Sequence, residues 1–377
     1  GTAPADQRLP SFCRIRAGMA PITRVVALLC ILSAVQQIIA GGYGKRNRHL
    51  KQPIVESRRY YNHKPVPIMR PDTMPVEFNW ANKTGINFLT PNWNQHIPTY
   101  CGSCFLHATL TTIADRLKVL KVGSSPDVML GRQSFLNCAP SLGYSKGCDG
   151  GDVIDVLEYM AKVGIPDEGC MPYRAMDNRA QGLEKGKQCA PIDSCMNCMP
   201  DKHDEMKSDC WPVKTPTIYK LSSYGNVGET KPSPNNVAAM MSEIYQRGPI
   251  VCSISCPQEF TFNYNGGIFF DKTNDTDVDH DVEIVGWGEE NGVKFWRVRN
   301  SWGQYWGELG FFRVPRGVNA QQLEAGDCWY AEPTWEVEKS VVDGTSIGSM
   351  YGIHEKKPAP AQVLQDAALG KAKVEVA

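Results

Sequence analysis

Apolar residues fall at helical spacing over one stretch of the chain: Leu106, Leu110, Ile113 and Leu117 follow one another at steps of four, three and four. That spacing predicts an amphipathic helix from Cys104 to about Val119, with Ser103 at its N-cap and Gly123 beyond its end. A second helix is expected over 152–163, opened by Asp152 and stopped before Gly164, and a third over 236–247, ending at Gly248-Pro249. After residue 250 the texture changes to the short β-like runs "IVCSI", "GGIFF", "VEIVGW", "KFWRVRN" and "GFFRV". "ENG" at 290–292 is a hairpin turn signal between two of them. A helical first half, roughly 100–215, and a strand-rich second half, roughly 216–335, make an α+β layout. No internal repeat is visible.

The ends differ from this middle. Arg14, Arg16 and Arg24 precede the apolar run "VVALLCILSAV" (25–35), and small residues follow at Ala40 and Gly41. Residues 1–40 are therefore expected to hold a signal peptide cleaved near Ala40, with Met19 a candidate start. The run is shorter than the ~20 apolar residues of a membrane span. Between Tyr43 and Lys64 there are seven Lys/Arg and one acid, Glu56, with prolines at 53, 65, 67, 71 and 75. Residues 41–74 read as an extended basic segment, either a linker or a pro-segment with Lys45-Arg46 or Arg58-Arg59 as exposed cleavage points. The tail 336–377, poor in aromatic residues, is expected to be partly disordered or a loose helix.

Composition narrows the class. Of 377 residues, 42% are hydrophobic and 21% charged, a globular balance. Lys+Arg and Asp+Glu number 40 each, so the basic surplus of a nucleic-acid binder is missing. Fourteen cysteines point to an oxidising compartment. The sequons at Asn82 and Asn274 fit a glycoprotein of the secretory pathway, lysosomal or extracellular.

Candidate chemistry centres on Cys104. It stands in the first turn of its expected helix, where free N–H groups and the helix dipole favour an anion and lower a thiol pKa. Downstream, the turn at 290–292 brings Asn300 within a few residues of directly opposite His280. An amide there can accept the ring Nδ1–H and fix the tautomer. Nucleophile, base and orienting group are thus all present. The plain alternatives are a satisfied core histidine and a turn asparagine. Two other readings use the cysteines differently: zinc held by the Cys and His of 195–210, or a redox pair at Cys101-Gly102-Ser103-Cys104, which lacks a βαβ setting.

"QHIPTYCGSC", "GCDGG", "DHDVEIVGWG" and "RNSWGQYWGELGFF" together resemble the papain-like cysteine proteases over roughly residues 75–335. The family signature C-G-[SA]-C-[WY] stands here as Cys101-Gly102-Ser103-Cys104-Phe105, which keeps an aromatic plate and loses an indole N–H. The resemblance implies a two-domain fold, helical on the left and β-barrel-like on the right, with the cleft between. It implies Cys104 as nucleophile, His280 as acid/base, Asn300 as its holder and Gln95 in the oxyanion hole. Trp302 would shield the His280–Asn300 contact, and Gly150 and Gly151 would admit an extended substrate. Gln95 lies nine residues before Cys104 rather than six. The added His96-Ile97-Pro98 matches an insertion of the family's carboxypeptidase branch, where the histidine binds the substrate's C-terminal carboxylate. His96 would do so best as an imidazolium at acid pH. Ordinary endopeptidase action, or a catalytically weak binding role, is the alternative.

The same resemblance implies the pairs Cys101–Cys148, Cys138–Cys189, Cys170–Cys195, Cys198–Cys210 and Cys252–Cys328, with Cys104 free and Cys256 unassigned. It implies no cofactor and no metal, a monomer, peptide or protein substrates with a free C-terminus, and the chain's own pro-segment as inhibitor. Residues 41–74 hold no cysteine with which to block the nucleophile, so the basic stretch lying in the cleft is one route to latency. Asp279 and Asp281 flank His280 and either raise its pKa or face solvent.

Overall fold

A computed structural model describes residues 49–50, 56–179, 189–334, 346–347 and 355–356. All belong to the unit Asn47–Ala377. The expected leader, the Lys45-Arg46 pair and most of the tail lie outside these residues.

The central helix α1 spans Cys104–Leu120, as the spacing of its leucines requires. Leu106, Leu110, Ile113 and Leu117 are fully buried, each contributing on the order of 1.5–3 kcal/mol of transfer energy. Ser103 occupies the N-cap position, but its hydroxyl makes no capping bond; it meets His107 Nδ1 at 3.2 Å and the Tyr173 hydroxyl at 3.0 Å instead. The helix α2 (Arg132–Cys138) and the helix α3 (Val153–Lys162) pack with α1 around one apolar cluster. Asp152 caps α3 through Ile154 N–H.

The second cluster belongs to an antiparallel sheet of eight strands. They are β1 (Tyr60–Tyr61), β2 (Phe78–Asn79), β5 (Leu221–Asn226), β6 (Ile250–Ser255), β7 (Val278–Glu290), β8 (Val293–Arg299), β9 (Phe311–Pro315) and β10 (Cys328–Pro333). A separate hairpin, β3 (Met196–Pro200) with β4 (Ser208–Pro212), belongs to the helical half. The sheet order is β1-β5-β10-β6-β7-β8-β9, with β2 on β7. Among the described residues no ladder joins β9 to β1, so the barrel-like expectation becomes an open sheet. The helix α4 (Pro234–Arg247) covers it. "GGIFF" forms no strand: Gly266 and Gly267 take positive φ, and only Ile268 makes an isolated bridge, to Arg313.

The β7–β8 turn is as its sequence demands: Glu290 pairs with Val293, and Asn291 and Gly292 both take positive φ. A register shift between Ile284 and Gly286 then advances the ladder, so that Glu283 faces Arg299. The two halves meet through buried charge. Arg299 lies 3.1 Å from Asp115 of α1 and 3.4 Å from Glu283 of β7. Arg116 reaches Glu243 and Glu332. All five expected disulfides are present, and Cys104 and Cys256 take part in none of them. The sulfurs of the 195–210 stretch are therefore bonded, which removes the zinc reading. No helix among the described residues is long and apolar enough to cross a membrane.

Residues 56–74 are laid along the rest of the fold. Tyr60–Tyr61 extend the sheet beside β5. Arg58 binds Asp155 at 2.8 Å and Glu158 at 2.6 Å, and Arg59 is likewise half-buried, so this dibasic pair is not the exposed site its sequence suggests.

Candidate active site

The first turn of α1 presents Cys104 at the seam between the halves. Cys101, three residues earlier, is bonded to Cys148. The Gly102 N–H reaches Cys148 O at 2.8 Å. These contacts fix the loop that enters the helix and leave the Cys104 sulfur unbridged.

Strand β7 brings His280 to the same seam, fully buried. Its Nε2 lies 2.8 Å from Asn300 Oδ1. That oxygen also accepts the Ser301 backbone N–H at 2.8 Å, so it cannot be a donor, and Nε2 must carry the hydrogen. The expectation placed the Nδ1–H here; the geometry reverses it. The outcome is chemically useful, because Nδ1 is left as the unprotonated nitrogen, buried and without a partner among the described residues. Trp302 stacks on the ring, with centroids 4.9 Å apart and planes 25° off parallel.

Gln95 is fully buried. Its Oε1 accepts from Ser301 Oγ at 2.6 Å, and its Nε2 donates to Cys101 O at 3.1 Å, so one amide N–H remains for another acceptor. His96 follows on the loop, half-buried and stacked on Tyr100 at 5.1 Å. Its Nδ1 is buried without a partner among the described residues. Burial lowers the pKa of His96 to about 4, so the unliganded ring is neutral rather than the imidazolium expected at mildly acid pH.

Electrostatics at Cys104 also differ from the expectation. Burial, and then the Asp281 carboxylate, push the Cys104 thiol well up. Asp281 Oδ2 lies 3.9 Å from the sulfur. Burial holds His280 down at about 4, against the Asn300 hydrogen bond and Asp281. Against the helix N-terminus, burial thus favours the neutral thiol and the neutral imidazole in this closed state. Asp281 does not face solvent. It is fully buried, with its Oδ2 3.1 Å from His49 Nδ1. Asp279 is mostly buried, which raises its carboxyl to about 7.

Gly150 and Gly151 make separate contacts. The Gly150 carbonyl is taken by Lys146 N–H at 2.7 Å. The Gly151 carbonyl is the one that receives a strand, accepting Leu50 N–H at 2.8 Å, while across the seam His49 N–H reaches Asp279 O at 2.9 Å. A Cβ on Gly151 would stand 2.6 Å from the Phe105 ring, so glycine is needed there. Phe105 itself is buried edge-on to Phe135. The segment His49–Leu50 thus lies across the site, hydrogen-bonded to both walls. Sequence reasoning did not find His49. The one signal available was the absence of a blocking cysteine in 41–74.

Residues 74–331 match the model of the papain family of cysteine proteases. Cathepsin Z of Onchocerca volvulus is 36% identical over 64% of this chain and 71% of its own length. Cathepsin B-like cysteine proteinase 3 of Caenorhabditis elegans is 30% identical over 73% of this chain and 69% of its own. Among solved structures, digestive procathepsin L 3 of Tenebrio molitor larval midgut superposes with a TM-score of 0.51 at 22% identity, over 84% of this chain and 94% of that one. Bromelain from Ananas comosus gives 0.50 at 23%, over 69% and 99%. These last two bear on the fold alone.

Proposed function

The chain belongs to the papain family of cysteine proteases, and from that premise we propose that it is the latent form of a carboxypeptidase that removes single residues from free C-termini. The observation that carries the finer reading is His96: an imidazole beside Gln95, half-buried, with an Nδ1 that nothing among the described residues satisfies. A substrate carboxylate brought to that ring would offset the burial that holds it at about 4 and draw a proton onto it. The charge-assisted contact forms only when the last residue of a peptide is in place.

The remaining roles follow from the placements. Substrate displaces 49–50 and takes its hydrogen bonds to Gly151 and Asp279. The Cys104 S–H proton passes to His280 Nδ1 as the sulfur bonds to the scissile carbonyl carbon. The carbonyl oxygen, now an anion, is met by the spare Gln95 N–H and the Cys104 backbone N–H, donors worth roughly 3 kcal/mol each. The Nδ1 proton then goes to the departing amine and the C–N bond breaks. Water, deprotonated by the same nitrogen, hydrolyses the thioester. Asn300 holds the ring throughout, and Trp302 keeps water from that bond.

Residues 41–74 are the pro-segment and inhibitor in this reading, and 75–335 the peptidase. A signal peptide in 1–40, the five disulfides and the exposed sequon asparagines Asn82 and Asn274 support passage through the secretory pathway to a lysosomal or extracellular site.

The test uses the full chain after limited proteolysis of the segment before Met74, given a peptide with a free C-terminus and its amidated twin. Loss of one C-terminal residue from the free acid alone supports the proposal. Equal internal cleavage of both makes the enzyme an endopeptidase and leaves His96 without this role.

A further inference from the structure

His49 does more than lie in the cleft. Its side chain is fully buried and sits on a floor of carboxylates. Nδ1 is 3.1 Å from Asp281 Oδ2, and Nε2 is 3.9 Å from Asp327 Oδ2. Asp152, the cap of α3, acts on the ring from the helical wall. Both near carboxylates are already fixed on their other oxygen. Ser253 Oγ donates to Asp281 Oδ1 at 2.8 Å, and Trp329 Nε1 donates to Asp327 Oδ1 at 2.8 Å. Each therefore presents one anchored, preorganised acceptor to whatever enters. Acids near one another are not by themselves a site. Here a buried imidazole, carried on a backbone that pairs with Gly151 and Asp279 as a substrate would, occupies the place between them.

We infer that Asp281 and Asp327 form a pocket of the peptide cleft that selects a cationic side chain, and that His49 is its first occupant, supplied by the chain itself. The inference rests on the cysteine-peptidase reading, since it names which peptides that cleft prefers. Two physical arguments support it. Burial opposes charge on His49, yet Asp281, Asp152 and Asp327 overcome it and raise the ring to about 9, so this pocket holds a cation across the neutral and acid range. When the segment leaves, Asp281 remains a buried carboxylate beside the sulfur with no cation against it, a costly state. An arginine, lysine or histidine of the substrate restores the pair. It also offsets the negative charge that, after burial, opposes ionisation of Cys104. Side-chain selection and activation of the nucleophile become one event.

The experiment takes the activated chain and free-acid peptides in which a single arginine is moved along the residues preceding the cleaved bond, each with a norleucine twin. At one position arginine should raise kcat/KM at least tenfold over norleucine, and in Asp281→Asn that ratio should collapse to near one. A measurement on the unaltered enzyme accompanies it, because the variant may not fold. The amidated peptide of residues 47–52, "NRHLKQ", should inhibit at least tenfold more strongly than its His49→Leu analogue. Turnover of all peptides with no preference for arginine at any position, or equal inhibition by the two hexapeptides, overturns the pocket while leaving the peptidase intact. No turnover of any peptide, with no labelling of Cys104 by a peptidyl epoxide, overturns the peptidase reading itself.

Discussion

Replacing Asn300 by alanine removes one oxygen that performs two tasks. Oδ1 accepts from His280 Nε2 and from Ser301 N–H, each at 2.8 Å, in a site where Asn300 is 3% exposed. In the resting state the bond to a neutral ring contributes about 1 kcal/mol. Once Nδ1 takes the thiol proton, the ring is a cation and the bond becomes charge-assisted, worth about 1.5–3 kcal/mol. At 1.36 kcal/mol per tenfold, kcat/KM should fall by roughly 10- to 150-fold. The Asn300 bond favours the protonated ring, working against the burial that holds His280 near 4. Its loss should therefore lower the pKa of the ring and make the imidazolium harder to form. The assay is hydrolysis of a fluorogenic free-acid peptide by the activated chain, with active sites counted by epoxide titration and folding checked by circular dichroism. A folded Asn300→Ala enzyme within twofold of the parent would refute the orienting role.

Four further outcomes are expected. In the full-length chain, iodoacetamide should modify Cys104 far more slowly at pH 7 than after activation, because burial and then Asp281 push its thiol up; equal rates would contradict this. Arg299→Met strands the Asp115 and Glu283 carboxylates in the seam and should cost about 3–5 kcal/mol in urea unfolding; a loss under 1 kcal/mol would show the cluster to be solvated. His49 titrates at about 9 when folded against 6.5 as a free side chain, so its contribution to stability is whole below 6.5 and is lost as pH rises through 9. Thermal unfolding of the full chain should weaken over that window, and His49→Leu should flatten the dependence; an unchanged profile would remove the ion pair. Cys252–Cys328 ties β6 to β10 across a sequence separation of 76, so Cys252→Ser/Cys328→Ser should lose roughly 4 kcal/mol in the chain-entropy account, read by calorimetry.

Much of this was legible in the sequence because it depended on local periodicity. Leu106 to Leu117 define α1 whatever packs against them, and Asn291-Gly292 set a turn that forces His280 and Asn300 into reach. What failed depended on what lies across the seam. Cys104 has the helix N-terminus that its position in the sequence implies, yet burial and one carboxylate from a distant strand reverse the sign of its pKa shift. His96 was expected to be charged, but the loop buries it enough to hold it neutral. "GGIFF" has strand-forming residues after two glycines whose positive φ interrupts any ladder. His49 itself carries no periodic or motif signal, standing with His63 in a basic stretch. Its meaning comes from Asp281, 232 residues away.

The central claim is that an unbridged Cys104, served by His280, attacks peptide carbonyls once the cleft is open. The most direct measurement is mass-spectrometric mapping of the activated chain after reaction with a peptidyl epoxide. The account predicts one adduct, on Cys104, with Cys256 unmodified and the adduct lost in His280→Ala. An adduct on Cys256 alone, or none while the protein remains folded, would contradict it.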